Sequence, residues 1–335
     1  MHHLIQSNMF NETGYARLVN AVKEMNLPYG IFKLRPFDHE IQWEEGIISG
    51  GAKPTMVWGT LSVERAAARY GWHPGVFKNE NFSMKVLDEK WGPRMLNSDA
   101  KFYKLGEVPS WEGAMFMRPV HDTKSFVGQL MNGDEFEKWR EDLFALRDEF
   151  TTVDLNTEVM IASPKHVIDE ARFFVVDKQV VAGSMYRIDG HVLYKGIDSN
   201  TPLYMPMWEW ANAHCYGTRY AGDVWYTIGR AGAWAPHEAF VMDVARTEEG
   251  FSIIEVNCIN SAGFYDCNMG SVVRALEYLH PWPERWKVVD NDNYKPQPWE
   301  KVIDDRELDE WRKNNSFGHV VDGRAASSIG RAFDS

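Results

Sequence analysis

The stretch that most limits how this chain can fold is residues 239–268, AFVMDVARTEEGFSIIEVNCINSAGFYDCN. Residues 240–245 are an apolar run holding one acid, residues 246–250 are polar and end in glycine, and residues 251–257 are rich in β-formers. Two strands joined by a turn are predicted. Side chains alternate faces along a strand, so Glu255 and Asn257 share a face. If odd positions pair with odd positions, Asp243 joins them, and two carboxylates and an amide oxygen converge within about 5 Å. Like charges that close are unfavourable without a cation between them, and this hard donor set suits Mg²⁺ carrying phosphates. The plainer alternative is a surface hairpin with solvated acids. Against it, each acid sits inside an apolar run, and the second strand leads into Asn260-Ser261-Ala262-Gly263, small residues where a ligand can approach the backbone.

The rest of the composition bounds the setting. A chain of 335 residues has room for two or three packed units. Its net charge of −12 argues against broad nucleic-acid binding, which needs clustered Lys and Arg, while leaving room for a local basic pocket. Three cysteines, Cys215, Cys258 and Cys267, form neither a disulfide framework nor a zinc pattern and suit a reducing cytoplasm. No apolar run reaches the ~20 residues of a membrane span, and MHHLIQSNMF lacks the basic and apolar regions of a signal peptide.

Along the chain, residues 13–26 have helical spacing, 29–34 and 54–58 read as strands, and Gly59-Thr60-Leu61-Ser62 opens a helix over 63–70 stopped by Gly71. The free N–H groups of that helix start are expected to face a cleft and bind a carboxylate. Residues 99–105, with Lys101 and Lys104, read as a helix end. Residues 114–117 form a strand running into Arg118-Pro119, and 126–131 return as another. Residues 134–150 form an amphipathic helix with Asp134 as N-cap and Glu137 at the capping-box spacing. Strands follow at 158–162, 169–176 and 179–186, with a turn at Asp177-Lys178 and a further short strand at 191–194. A helix is expected within 202–220, a strand at 223–228 and a helix at 271–279. Residues 304–314 read as a charged helix and 316–335 as a Gly/Ala/Ser-rich tail.

The order D-(x)n-E-V-N on a late hairpin resembles the metal-binding hairpin that closes the ATP-grasp fold, where the Asp, Glu and Asn hold the magnesium ions of ATP. The match is closest to an uncharacterised phage and bacterial clade whose basic phosphate residues are rearranged. The resemblance implies an α/β (α+β) architecture with two α+β subdomains gripping ATP: a pre-ATP-grasp domain over 1–95, an N-subdomain over 96–156, a C-subdomain over 157–280 and an extension over 281–335. It implies that Lys101, Arg118 and Lys124 meet the phosphates. Arg118 stands where the family has a strand lysine, and a guanidinium holds phosphate bidentately. Residues 121–128 correspond to the family's Gly-rich loop but hold one glycine. Glu158 and Ile161 lie in the segment that resembles the adenine-reading linker. Glu170 resembles the ribose acid, and Arg172 shares its face. Val241 stands where many members carry a phosphate-binding Arg, so that charge is expected from Arg172, Arg187 or Lys195.

The function implied is an ATP- and Mg²⁺-dependent ligase of the cytoplasm, joining a small-molecule or peptide carboxylate to an amine through an acyl phosphate. Arg172 would stabilise the transferring phosphoryl group, and backbone N–H groups around Ser261 and Gly263 the tetrahedral oxyanion. Two alternatives remain open at this level. One is a kinase making a phosphate ester, the other a protein that binds nucleotide without turnover.

Overall fold

The computed structural model describes residues 1–9, 14–35, 40–46, 54–121, 125–145, 153–198, 201–216, 218–221, 224–227 and 234–279. Lys124, the charged helix expected at 304–314 and the tail lie outside them. Contacts divide the chain into two units, one of residues 1–76, 196–206 and 263 onward, the other of residues 77–195 and 207–262.

The first unit is built on β1 (His2–Gln6), α1 (Tyr15–Glu24), β2 (Tyr29–Leu34), β3 (Ile41–Gly46), β4 (Pro54–Trp58), α2 (Val63–Tyr70) and β5 (His73–Gly75). The strands form one sheet in the order β3-β2-β1-β4-β5, parallel except for β3. β1 was not expected from the sequence, because two histidines open it, yet all five of its residues are buried. That is the signature of a central parallel strand covered on both faces. One core joins Leu4, Phe32, Val57, Val63 and Trp72. Gly71 ends α2 with φ 64°, the left-handed position that favours glycine. Thr60 donates its N–H (2.9 Å) and its hydroxyl (3.1 Å) to Gln6 Oε1, so the turn before α2 is satisfied inside its own unit and offers no carboxylate site there.

At the base of this sheet, His3 Nδ1 accepts from Trp58 Nε1 (3.0 Å), which leaves the proton on Nε2, 2.9 Å from Glu277 Oε1. Burial holds the His3 pKa below its usual 6.5, against the pull of Glu277. Glu277 is held below the ordinary carboxylate range: burial pushes it up, but the Met1 amino group and His3 outweigh that. A depressed folded pKa gives stability that is complete above the unfolded value and lost as pH falls through the folded one. The unfolding temperature is therefore expected to decline as pH drops below about 6.5, and again through the carboxylate range. His3→Gln should flatten the first decline between about pH 7.5 and 5. A variant curve that still tracked wild type there would place the sensitive group elsewhere.

The second unit carries α3 (Met84–Trp91), β6 (Lys101–Lys104), β7 (Ala114–Pro119), β8 (Gln129–Asn132), α4 (Gly133–Ala145), β9 (Glu158–Ala162), β10 (Asp169–Val176), β11 (Gln179–Ile188) and β12 (His191–Gly196). It continues with α5 (Met205–Tyr216), β13 (Thr218–Ala221), β14 (Val224–Thr227), β15 (Ala239–Thr247) and β16 (Gly250–Asn257), and the chain returns to the first unit with α6 (Met269–Leu279). One sheet has the order β6-β9-β7-β8, the other β12-β11-β10-β15-β16.

Several local expectations shift. Residues 101–104, expected as a helix end, form strand β6: Phe102 and Tyr103 suit a strand, and four residues are too few to show a period. α4 is capped two residues earlier than expected. Asn132 and Glu135 make the reciprocal pair, Glu135 N–H to Asn132 Oδ1 (2.9 Å) and Asn132 N–H to Glu135 Oε2 (2.8 Å). The helix expected within 202–220 stops at Tyr216, and Thr218–Ala221 pairs with Val224–Thr227 as a hairpin. The 239–257 hairpin is longer than expected and turns on Glu248 and Glu249 alone.

Candidate functional site

Face assignment in the β6-β9-β7-β8 sheet follows from strand alternation. Ile161 belongs to the core with Met115, Met117, Val159 and Phe136 of α4. Lys101 pairs with Ile161, whereas Arg118 pairs with the next residue back, Met160. Lys101 and Arg118 therefore leave opposite faces of the sheet, which corrects the expectation that they share an anion. Phe102 and Lys104 are the β6 residues on Arg118's face. The adenine-reading role expected of Glu158 and Ile161 is also corrected. β9 is paired on both sides, with β6 and β7, so its peptide groups are engaged in the sheet. The Glu158 side chain pairs with Lys85 and with His121 (3.1 Å). The chain leaves the sheet at Ser163, whose N–H donates to Asp99 (3.1 Å).

In the β12-β11-β10-β15-β16 sheet, Phe173 packs on Trp208 of α5, so the even residues of β10 occupy the other face. Arg172 stands opposite Asp243, and Asp243 opposite Glu255. The odd-to-odd register arises from a bulge: Val244 faces Ile253 but Asp243 faces Glu255, leaving Ile254 as the extra residue. Asn257 pairs with the position of Val241 and joins the same face.

These side chains are connected. Arg172 donates Nε to Asp243 Oδ1 (2.8 Å) and Nη2 to Oδ2 (2.7 Å). Asn257 Nδ2 donates to Asp243 Oδ2 (3.2 Å) and to Glu255 Oε1 (2.9 Å). Arg118 reaches across from β7 of the other sheet to Glu255 Oε2 (2.5 Å). On the far side, Glu170 accepts from the Tyr186 hydroxyl (2.6 Å) and from Arg187 (2.7 Å), and the Arg172 guanidinium lies 5.8 Å from the Tyr186 ring centroid. Three guanidinium groups, those of Arg118, Arg172 and Arg187, thus face three carboxylates, those of Glu170, Asp243 and Glu255.

Burial pushes the Asp243 carboxyl upward and Arg172 pulls it back. Both oxygens accept N–H groups, and a carboxylic O–H would be set against those donors, so we take the group as ionised. Glu255 is also pushed up by burial, but Arg118, Asn257 and Arg172 outweigh this and hold it below the usual range. Burial, then Asp243 and Glu170, push the Tyr186 hydroxyl far above the usual phenol value, which keeps it a neutral donor.

The donor set can be compared with a metal's needs. Mg²⁺ takes oxygens at about 2.0–2.1 Å in an octahedron, which sets neighbouring ligands about 2.9 Å apart. The Asn257 amide nitrogen lies 3.2 Å and 2.9 Å from its two carboxylate neighbours. Turning that amide over presents its oxygen at the same place. Asp243, Asn257 and Glu255 fit such an ion.

Residues 69–276 match a family model of the ATP-grasp domain, the third family of its clade. The chain belongs to that family. Its fold is ATP-grasp, with mixed α+β content. Among solved structures, this ATP-grasp chain is similar to D-cycloserine synthetase DcsG, at 10% identity over 83% of this chain and 99% of that one, with a TM-score of 0.47. It is also similar to the ATP-grasp ligase PsnB complexed with minimal precursor (13% identity, 83% and 97%, TM-score 0.45). A third is the RimK domain protein ATP-grasp from Sphaerobacter thermophilus (11%, 78% and 92%, TM-score 0.44). No curated protein matches the sequence. Among the described residues, no helix is long and apolar enough to cross a membrane.

For this ATP-grasp domain the remaining expectations divide as follows. Val241 is buried, and Arg172 supplies the guanidinium beside the Asp from the neighbouring strand. Arg187 is engaged with Glu170, and Lys195 is exposed on β12. The oxyanion role expected near Ser261 and Gly263 loses its first donors: the N–H groups of Ser261 and Ala262 both go to the Cys258 carbonyl (3.2 and 3.0 Å). Gly263 begins the segment belonging to the first unit. Tyr186 was not anticipated. It is the bulged residue of β11, between the pairs Ala171–Met185 and Glu170–Arg187, and no local pattern in the sequence marks it.

Proposed function

We propose that the protein is an ATP-dependent ligase that joins a carboxylate to an amine through an acyl phosphate. The observation that carries this reading is the Asp243–Asn257–Glu255 cluster lying against Arg172 and Arg118. Asp243, Asn257 and Glu255 would hold Mg²⁺, which supplies charge neutralisation at the phosphates. Arg118 and Arg172 would hold the phosphate oxygens, and Glu170, fixed by Tyr186 and Arg187, the ribose. The substrate carboxylate oxygen attacks the γ-phosphorus as the bond to the bridging oxygen breaks, and ADP leaves. The amine then attacks the acyl carbon, loses a proton, and phosphate leaves with the C–O bonding pair. In both steps the guanidinium groups keep their charge and their forked geometry while charge moves on the phosphoryl oxygens.

The test uses hydroxylamine as the amine, with a panel of amino acids and short peptides as carboxylates. Matching amounts of ADP and acyl hydroxamate are expected for an accepted carboxylate. ADP with a new phosphate ester and no hydroxamate would make the protein a kinase instead.

A further inference from the structure

We infer that Arg118 and Arg172 are built-in counter-ions of the Asp243–Asn257–Glu255 cluster, so that a divalent metal and ATP each bind poorly alone and well together. This rests on the nucleotide site proposed above and adds how that site is loaded.

The argument is one of charge. Both acids already have cations. Asp243, 2% exposed, is held by the Arg172 fork, and Glu255 by Arg118. With Glu170 and Arg187 included, the connected charges cancel. A divalent cation entering this cluster alone meets two guanidinium groups whose partners it takes, leaving buried positive charge that nothing compensates. ATP entering alone draws the same guanidinium groups toward its phosphates and leaves two carboxylates beside a polyanion. Only the pair permits an exchange in which the metal takes the carboxylates and the guanidinium groups take the phosphates. Arg118 is well placed to move, since it comes from the other sheet and is 18% exposed, against 9% for Arg172. A site with free acids and separately placed cations would show no such opposition. Coupling of this kind is reciprocal: what the metal does for ATP affinity, ATP does for metal affinity.

The signature is that removing one charge strengthens one ligand's binding. Mn²⁺ is used as the metal probe, with free Mn²⁺ read by electron paramagnetic resonance, and ATP in the presence of chelator is followed by calorimetry. Arg118→Met should bind Mn²⁺ alone about tenfold or more tighter than wild type, the scale of a hydrogen bond to a charged group, and bind metal-free ATP more weakly. Glu255→Gln should do the reverse, with weaker Mn²⁺ and several-fold tighter metal-free ATP. Arg118→Lys, which keeps a cation, should fall between wild type and Arg118→Met for Mn²⁺ and guards against a folding defect, as does circular dichroism on each variant. Folded Arg118→Met with Mn²⁺ affinity equal to or below wild type, or folded Glu255→Gln with no gain for metal-free ATP, overturns the inference while leaving the ATP site standing. If wild type binds neither Mn²⁺ nor ATP, together or apart, the nucleotide reading falls and the inference with it.

Discussion

Arg172→Met is expected to destabilise the protein by about 3–5 kcal/mol, the scale of breaking a buried ion pair from one side. The methionine keeps most of the aliphatic packing, so the loss is chiefly electrostatic. Asp243 would remain 2% exposed, with the Asn257 amide still donating to it. A carboxylate in that position has neither solvent nor a cation to stabilise it. Asp243→Asn in the Arg172→Met background removes the charge and should recover most of the loss, because a neutral amide can still accept from Asn257. The measurement is a urea midpoint for wild type, both single variants and the double variant. An interaction energy of about 2 kcal/mol or more between the two sites is expected from that cycle. If the double variant is as unstable as the sum of the singles, Arg172 contributes through packing and the ion pair is not what holds β10 to β15 here.

The same pair shows where sequence reading reaches and where it stops. That Asp243 and Glu255 face each other depends on the bulge at Ile254, because counting back from the Thr247–Gly250 turn pairs Asp243 with Ile254. The apolar run around each acid pointed to the right faces, but only tertiary packing sets the bulge. Tyr186 was hidden for the same reason. Two irregularities in the β10–β11 ladder, at Phe174/Val175 and Glu170/Ala171, shift the register by one residue each. Arg118 was legible because proline follows it and holds it extended at the end of a strand. Its expected acidic partner was local, yet the structure gives Glu255, far along the chain on another sheet, which no sequence pattern signals. Lys101 failed by one position: a four-residue strand alternates faces, and the lysine that shares Arg118's face is Lys104. Long periodic elements such as α1, β10 and β15 were legible from their apolar pattern, whereas β1 was not, since a strand buried on both faces has no alternation to read.

Glu255→Gln is the variant expected to lose the most activity for the least stability. Glutamine keeps the length and one oxygen, so Asn257 Nδ2, now 2.9 Å from Oε1, retains an acceptor. What disappears is a negative charge. For folding, that charge matters little: its partner Arg118 is 18% exposed and can regain water, so a loss of about 1 kcal/mol is expected. For the proposed chemistry it matters greatly. A hard divalent ion gains much of its binding from ligand charge, and an amide oxygen is a poor substitute for a carboxylate. Loss of one anionic ligand from a site that also draws Arg118 into position should lower ATP-dependent hydroxamate formation on the order of a hundredfold or more at a fixed metal concentration. Added metal should restore part of the rate, since the defect is in affinity, whereas Glu170→Gln, in the ribose position, should raise the apparent KM for ATP without any response to metal. Rate measured against metal concentration, alongside the melting temperature of each variant, separates these cases. Wild-type turnover in a folded Glu255→Gln protein would remove Glu255 from the metal site, and the Asp243–Asn257–Glu255 cluster would then be a structural ion-pair network closing the β15–β16 hairpin against β10.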